Sequence, residues 1–283
     1  NTFGCDYGVY LFYDRIWEDS DNHSSSNIEG VSITNNRFNN LDNDAVYIYF
    51  NETNSSLNAA GSLDVGDFEV SGNTIDGADN GINIDYELIY SGDSTTVTVK
   101  DLNIIDNTVD NLNADGIRLS YNMDANHSSS QTVGRALVQG NTLNGIGSGT
   151  GIYVNVYEWK HANATHDFGG VFINTNTIDN WTNGILLDNG NNASLVGNII
   201  QNNTEGINVQ NASDTFILGN DILNNTGGGP SGIHLTAGTG NVAHFNNIAA
   251  NSPDFGIFSG GPLINAELNW WGDASGPFDP AGG

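Results

Sequence analysis

Asp85 and Arg118 are the charged residues of this sequence best placed to bind or transform a ligand. Each lies shortly after a Gly-Ile dipeptide. Tyr47, Tyr49 and Tyr153 hold matching positions in similar segments. A carboxylate and a guanidinium between aromatic rings suit a sugar, because its hydroxyl groups bond to the charges while its apolar face packs on the rings. These five residues are the candidates for glycan binding; the sequence favours the simpler interpretation that the tyrosines pack beneath surface loops.

Catalysis at the same place needs a second acid. Asp85, Arg118 and Tyr153 are the catalytic candidates, but a glycosidase needs two carboxylic acids that face one bond. The next acid in the row of Asp85 is Asp188, about three repeats away, or roughly 14 Å at the spacing of strands. The sequence therefore favours glycan binding over catalysis at this place.

Clusters of acidic residues offer oxygen ligands for a metal ion. Asp19 and Asp21 form one cluster, and Asp42 and Asp44 form another. Carboxylate oxygens suit Ca²⁺, but neither cluster completes a calcium-loop pattern. We therefore expect no cofactor, and a structural Ca²⁺ at one of these clusters is the alternative to solvated turns.

The charge balance restricts the partners of the protein. It has 33 acidic residues against 6 basic ones, which gives a formal net charge of −27. Such a surface repels anionic lipids and the phosphate backbone of nucleic acids. No apolar stretch is long enough to predict a membrane span. The acidic charge leaves three interpretations: a solvated acidic surface, a protein that binds divalent cations, or a protein from a salty medium in which excess carboxylate keeps it hydrated.

A degenerate repeat must position these side chains. Asparagine, any residue and then a large apolar residue recur at spacings of 34 to 37 and later 22 to 26 residues. Each repeat indicates short strands with alternating apolar residues, separated by turns. Because such coils bury their apolar faces only by stacking, we predict an all-β fold, a right-handed single-stranded parallel β-helix of about nine coils. The recurring asparagines should stack as a structural ladder: Asn36, Asn73, Asn107, Asn141, Asn176, Asn198, Asn220, Asn246 and Asn269.

The repeat lengths divide one β-helix domain, residues 1–283, into two parts. Residues 1–170 form long coils, and residues 171–283 form short coils that end in the tail Asn-Trp-Trp-Gly-Asp-Ala-Ser-Gly-Pro. The long coils carry additional residues near 13–28, 50–66, 86–100, 120–134 and 155–169. Because all of these follow the Gly-Ile strand, they should emerge on one flank of the coils.

Ten Asn-x-Ser/Thr sequons are candidates for N-glycosylation. Half of them fall within the additional residues of the long coils, where a glycan can point outward. The candidates are Asn22, Asn51, Asn54, Asn126, Asn163, Asn180, Asn192, Asn202, Asn211 and Asn224.

The sequence resembles the pectate-lyase-like right-handed β-helix superfamily in repeats such as Gly140-Asn141-Thr142-Leu143 and in the tail that begins at Asn269-Trp270-Trp271. More narrowly, it is similar to NosD-type β-helix repeats and to large archaeal and bacterial surface proteins. The resemblance covers the whole chain and implies the fold and an extracellular or cell-surface location, but it says little about activity. Some NosD-type relatives use copper, for which this sequence lacks ligands, since Met123 is its one methionine.

The repeat, the charge and the resemblance together predict an extracellular structural or adhesive protein, such as a component of a surface layer, a sheath or a filament. We expect it to be glycosylated and to associate with itself or with neighbouring domains of a longer polypeptide. We expect no nucleic-acid partner. The alternative is a β-helix protein that binds or degrades polysaccharide, as lyases and hydrolases of this fold do.

Overall fold

Parallel β-strands make up the regular structure of the chain. The computed structural model describes residues 6–17, 24–54, 61–90, 95–125, 129–227, 229–251, 256–261, 263–274 and 276. These residues form strands and turns without a helix, so none of them belongs to a helix that could cross a membrane. The strands pair in parallel into four sheets, which we name A to D. The architecture is an all-β parallel β-solenoid.

The chain visits the sheets in a fixed order, and each pass stacks on the one before it. Among the described residues, sheet A has nine strands: Val9–Trp17, Val46–Asn54, Ile82–Tyr90, Ile117–Ala125, Thr150–Lys160, Asn183–Asp188, Glu205–Gln210, Ile233–Leu235 and Ile257–Ser259. Sheet B has five in the same ranges: Ser24–Ile28, Gly61–Val65, Thr96–Val99, Ser130–Val133 and Thr165–Phe168. Sheet C has eight there: Val31–Thr34, Phe68–Ser71, Leu102–Ile105, Ala136–Gln139, Val171–Asn174, Ser194–Val196, Phe216–Leu218 and Val242–His244. Sheet D likewise has eight: Arg37–Asn39, Thr74–Asp76, Thr108–Asp110, Thr142–Asn144, Thr177–Asp179, Ile199–Gln201, Asp221–Leu223 and Asn247–Ala249.

A ladder of asparagine side chains runs along the turn between sheets C and D. The backbone N–H and Nδ2 of Asn107 both donate to Oδ1 of Asn141, each at 2.9 Å. Nδ2 of Asn107 also donates to the carbonyl of Val70, at 2.9 Å. The same pattern links all nine asparagines of the repeat in sequence, from Asn36 to Asn269. Each buried amide is thereby satisfied, which a dry interior requires.

A narrow apolar core runs along the inside of the solenoid. Alternate residues of each strand point inward, and the register places like residues over one another, as with Ile82, Ile117, Ile152 and Ile185. All four are fully buried. β-Branched side chains suit this stacking because they pack well on a pleated surface. The outward residues of the same strands remain available to form a surface.

The additional residues of the long coils form strands in most of the parts that the structure describes. Their first parts lengthen the strands of sheet A to nine or eleven residues, and their last parts form sheet B. Tyr86 and Tyr121 fill the space between the two sheets, with ring centroids 5.1 Å apart, and both side chains are buried. The additional residues were expected to emerge on one flank. They lie on one side of the coils, where their strands and buried tyrosines widen the core.

A second, shorter asparagine column lies at the turn after sheet D, and sequence reasoning missed it. Asn203 donates from its backbone N–H and Nδ2 to Oδ1 of Asn225, and Asn225 donates in the same way to Asn251. In the preceding layer Trp181 occupies this turn, and its backbone N–H donates to Oδ1 of Asn203 at 2.8 Å. The asparagines follow the ladder residues by five positions, which is the signal that could have revealed them.

Candidate functional site

Four aromatic rings form an exposed strip on the outer face of sheet A. Phe12 stacks on Tyr49 with ring centroids 5.1 Å apart and planes at 15°, and Tyr10 lies 5.4 Å from Tyr47. The strand register produces these contacts, because it pairs Tyr10 with Tyr47 and Phe12 with Tyr49. Tyr10 is 51% exposed and Phe12 is 54% exposed. This aromatic strip offers a flat apolar surface to a ligand.

A polar groove of about 480 Å³ lies beside the aromatic strip. The register explains its position, because Tyr49 pairs with Asp85, and Asp85 with Ser120. One row of outward side chains thus crosses sheet A from the rings into the groove. The groove is lined by Asp85, Glu87, Ser120, Tyr121, Asn122, Asn155, Tyr157 and Asn189.

The two carboxylates of the groove have different surroundings. Burial raises the pKa of Asp85, and the charge of Glu87 adds to this, although a hydrogen bond with Ser120 and the charge of Arg118 act in the opposite direction. Glu87 instead accepts a hydrogen bond from the hydroxyl of Tyr49, at 2.9 Å. The groove therefore combines a carboxyl group that holds its proton more tightly with a carboxylate fixed by a neighbouring donor.

Arg118 lies on the same face but does not have Asp85 as its ion-pair partner. Its guanidinium is 3.5 Å from Asp115 and stacks over the ring of Tyr153, 4.5 Å from the centroid. Burial raises the pKa of Tyr153, while the charge of Arg118 lowers it. The register places Arg118 opposite Asn83, one row away from Asp85. Arg118 therefore lies one layer from Asp85 and borders the groove through a cation–π contact with Tyr153.

Glu87, Asn122 and Tyr157 line the groove but were not among the site residues predicted from the sequence. Sequence reasoning followed two outward positions after each Gly-Ile dipeptide. The strands of the long coils reach nine residues, so a third outward row pairs Asn51, Glu87, Asn122 and Tyr157. The alternation of Ile82–Tyr90 continues through Glu87, and following it to its end would have identified this row.

Asp44, one of the calcium candidates, is buried and uses both carboxylate oxygens. Its Oδ1 accepts from the backbone N–H and Nδ2 of Asn80, at 3.2 and 2.7 Å. Its Oδ2 accepts from Nδ2 of Asn83, at 2.9 Å. These bonds join successive layers. Both oxygens of Asp44 are therefore engaged in hydrogen bonds at the turn and are not left open to coordinate a metal ion.

The structure brings no metal-binding group together among the residues that it describes. Asp42 is exposed, and Asp19 and Asp21 lie outside the described residues. Met123 is fully buried in the apolar core. Within the described ranges, no three His, Cys, Asp or Glu side chains are grouped so that they could hold a metal ion.

The sequons differ in exposure. Six are exposed at turns or surface positions: Asn163, Asn180, Asn192, Asn202, Asn211 and Asn224. Asn51 is buried, and its Nδ2 donates to Oδ1 of Asp14 at 2.8 Å. Asn54 ends a strand of sheet A, while Asn22 and Asn126 lie outside the described residues.

A protein family matches more than half of the chain. The family is described as "Periplasmic copper-binding protein (NosD)", and it matches residues 93–264, or 172 of the 283 residues. The match covers the groove residues from Ser120 onward and most of the short coils. No curated protein and no solved structure matches the chain.

Proposed function

The chain belongs to this NosD family, and we propose that it is an adhesive surface protein that holds polysaccharide against the outer face of sheet A. Its location outside the cytoplasm follows from the family, which is described as periplasmic. The role in a surface layer, a sheath or a filament is part of the proposal. Its support is a repeat that builds a regular rod with one continuous core.

The observation that carries the proposal is the polar groove beside the aromatic strip. Phe12 and Tyr49 present stacked rings, and Asp85, Glu87 and Asn122 present hydrogen-bonding groups next to them. A sugar ring has an apolar face and a rim of hydroxyl groups, so it can use both surfaces at once. The exposed part of the Phe12 ring does not contribute to the packing of the solenoid core.

The direction of the groove favours an extended polymer. The rows of outward side chains run across the strands, along the axis of the solenoid, and successive strands are about 4.8 Å apart. The row that starts at Phe12 continues through Tyr49, Asp85, Ser120 and Asn155. A chain of sugars lying along this row would meet aromatic rings first and polar groups next.

We further propose that the solenoid is right-handed and has nine coils. Crossover connections between parallel strands of one sheet are right-handed in about 98% of cases. The nine strands of sheet A support one coil for each strand.

The proposed function does not involve bound copper. A copper site needs several imidazole, thiolate or thioether ligands around one point. The described residues do not fit this requirement, because they contain no such group and Met123 faces the core. The groove of sheet A is lined by oxygen and amide groups instead.

Hydrolysis of the bound polymer is a second candidate function. Asp85 and Glu87 are two residues apart on one strand and line the same groove. Both side chains point outward from the strand, and a glycosidase needs two carboxyl groups that face one bond. Release of reducing ends from a bound polysaccharide, abolished in both Asp85→Asn and Glu87→Gln, would support this candidate.

The binding proposal is tested with a panel of soluble neutral, amino and acidic polysaccharides in affinity electrophoresis. We expect at least one to retard the protein, and the double variant Phe12→Ala/Tyr49→Ala to weaken that binding about tenfold or more. Phe216→Ala is the matched control, because Phe216 is 45% exposed but lies in sheet C. Binding that is equal in both variants would reject the aromatic strip as the site.

A further inference from the structure

The solenoid narrows abruptly after its fifth layer. The strand Thr150–Lys160 pairs with the next strand of sheet A only up to Asn155, and Thr165–Phe168 is the last strand of sheet B. The segments 156–160 and 165–168 therefore end the wide part of the molecule in the middle of the chain. We call these two segments the step.

The step presents unpaired backbone groups along two strand edges. The N–H groups of His161 and Thr165 donate to Ala125 and Ser129 of the layer below, at 3.0 and 2.9 Å. Successive residues of a strand direct their backbone groups to opposite sides. The backbone groups of Glu158, Lys160, His166 and Phe168 therefore face the open side, where none of the described strands pairs with them.

A buried histidine nitrogen at the step has no hydrogen-bond partner. The side chain of His166 is only 5% exposed. Its Nδ1 lies 3.2 Å from Oε1 of Gln131, but its Nε2 is unsatisfied, and the carboxylate of Glu158 is 3.8 Å away. A desolvated polar atom without a partner is costly. This atom shows that the polar groups at the step are incompletely satisfied within the single chain.

Charged residues at an edge can also serve to prevent pairing. Lys160 and the inward-facing Glu158 fit that role, because charge is a common protection of edge strands. Protection does not explain why the ring of His166 is buried without a partner for Nε2. It also does not explain Trp159, which is 52% exposed on the same edge and is a residue type enriched in protein interfaces.

The shape of the molecule identifies the occupant. Five wide layers carry sheet B, and four narrow layers of sheet A follow. Two such L-shaped bodies fit together around a twofold axis, because the wide part of each fills the recess beside the narrow part of the other. A whole layer could not stack end-on over the step, since the narrow layers occupy that space.

We propose that two copies of this chain dock step to step, each adding its free strand edges to those of the other. A twofold contact is self-complementary, so Glu158 and His166 are present on both sides. The second copy would cover the Glu158 carboxylate and Nε2 of His166, which lie 3.8 Å apart in each chain, and the loss of water around them would strengthen their attraction. The proposal is independent of polysaccharide binding, which concerns the N-terminal part of the outer face.

The net charge makes the dimer dependent on salt. Two bodies of charge −27 repel each other at low ionic strength. Salt screens this repulsion, with a Debye length of about 3 Å at 1 M. Association should therefore increase with salt, opposite to a contact held by surface ion pairs.

Sedimentation equilibrium of the full chain at low and high salt tests the proposal. We expect a concentration-dependent dimer at high salt, and about tenfold weaker dimerisation in Trp159→Ala. Lys160→Pro should remain monomeric, because proline removes the N–H on the open side and leaves the pairing with the layer below. An unchanged far-UV circular dichroism spectrum verifies that both variants fold.

Tyr10→Ala is the control, because Tyr10 is equally exposed on sheet A but far from the step. A protein that is monomeric at every concentration and salt level would overturn the proposal. So would a dimer that both step variants retain, since it would use another surface. A monomer that instead binds a strand of another protein at the step would also reject the second copy as the occupant.

Discussion

The hydroxyl of Tyr49 donates to Oε2 of Glu87 at 2.9 Å, and this bond joins the aromatic strip to the polar groove. It fixes the angle of a ring that also stacks on Phe12. Burial raises the pKa of Tyr49, and the bond to Glu87 raises it further, so the hydroxyl stays protonated and remains a donor. The two halves of the site are thus held as one surface.

Removing only the hydroxyl should separate the contribution of this bond from that of the ring. We expect Tyr49→Phe to weaken polysaccharide binding about threefold, because the ring remains but loses its anchor to Glu87. Tyr49→Ala should weaken it about tenfold, since the stacking surface is lost as well. Isothermal titration with the polysaccharide that binds best measures both. Equal losses would show that the ring contributes nothing.

Asp85 should destabilise the fold at neutral pH. Burial raises its pKa in the folded state, so its contribution is favourable when protonated and is lost as the pH rises through that raised value. We expect Asp85→Asn to stabilise the protein at pH 7 by less than about 1 kcal/mol, because a partly exposed carboxylate keeps much of its hydration. The gain should vanish below about pH 4, where aspartate is protonated even when unfolded.

Thermal unfolding of the wild type and Asp85→Asn across this pH range measures the effect. Asp101→Asn is the control, because the Asp101 side chain is 39% exposed, and asparagine keeps the Oδ1 that accepts from the backbone N–H of Arg135. It should change stability little at either pH. A destabilised Asp85→Asn at pH 7 would mean that the carboxylate is needed in its charged form.

The solenoid was predictable because each repeat carries two markers that must coincide. The ladder asparagine recurs in step with a small residue that is followed by a β-branched one, as in Ala45-Val46, Gly81-Ile82 and Gly116-Ile117, and the register stacks these β-branched residues on one another. Each marker solves a physical problem, the satisfaction of a buried turn or the filling of the core. Each repeat therefore specifies the same turn and the same buried strand, and the fold can be recognised from their recurrence.

Sheet B was not predictable as a sheet. Its strands are short, and some, such as Ser24–Ile28 and Ser130–Val133, consist mostly of polar residues and resemble loops when read alone. They become strands because each pairs with an equivalent segment one layer away. The partner of Arg118 was hidden for a related reason, since Asp115 reaches it from the preceding turn.

Glycosylation should follow the exposure of the sequons. In a host with an N-glycosylation pathway, we expect modification at exposed turns such as Asn163 and Asn224. Asn51 should stay unmodified, because its Nδ2 is buried and donates to Asp14. Peptide mass spectrometry before and after enzymatic removal of N-glycans measures occupancy. A glycan on Asn51 would show that modification precedes folding of this strand.

The ladder should be the most sensitive part of the fold to single substitutions. Nδ2 of Asn141 donates to the carbonyl of Ile104 and to Oδ1 of Asn176, and its Oδ1 accepts from Asn107, all at 2.9 Å. We expect Asn141→Ala to lower the free energy of unfolding by about 3 kcal/mol, because buried donors and acceptors in two layers lose their partners. Asn141→Asp should cost more, since a buried carboxylate cannot donate to these acceptors.

Asn144→Ala provides the matched control for this prediction. Asn144 lies three residues further on the same turn and strand, but it is exposed and makes its bond to Asp110 at the surface. Its loss should cost less than about 0.5 kcal/mol. Urea unfolding with an unchanged m-value measures the difference. Similar costs at residues 141 and 144 would mean that the stacked amides contribute little, and that the apolar core alone holds the layers in register.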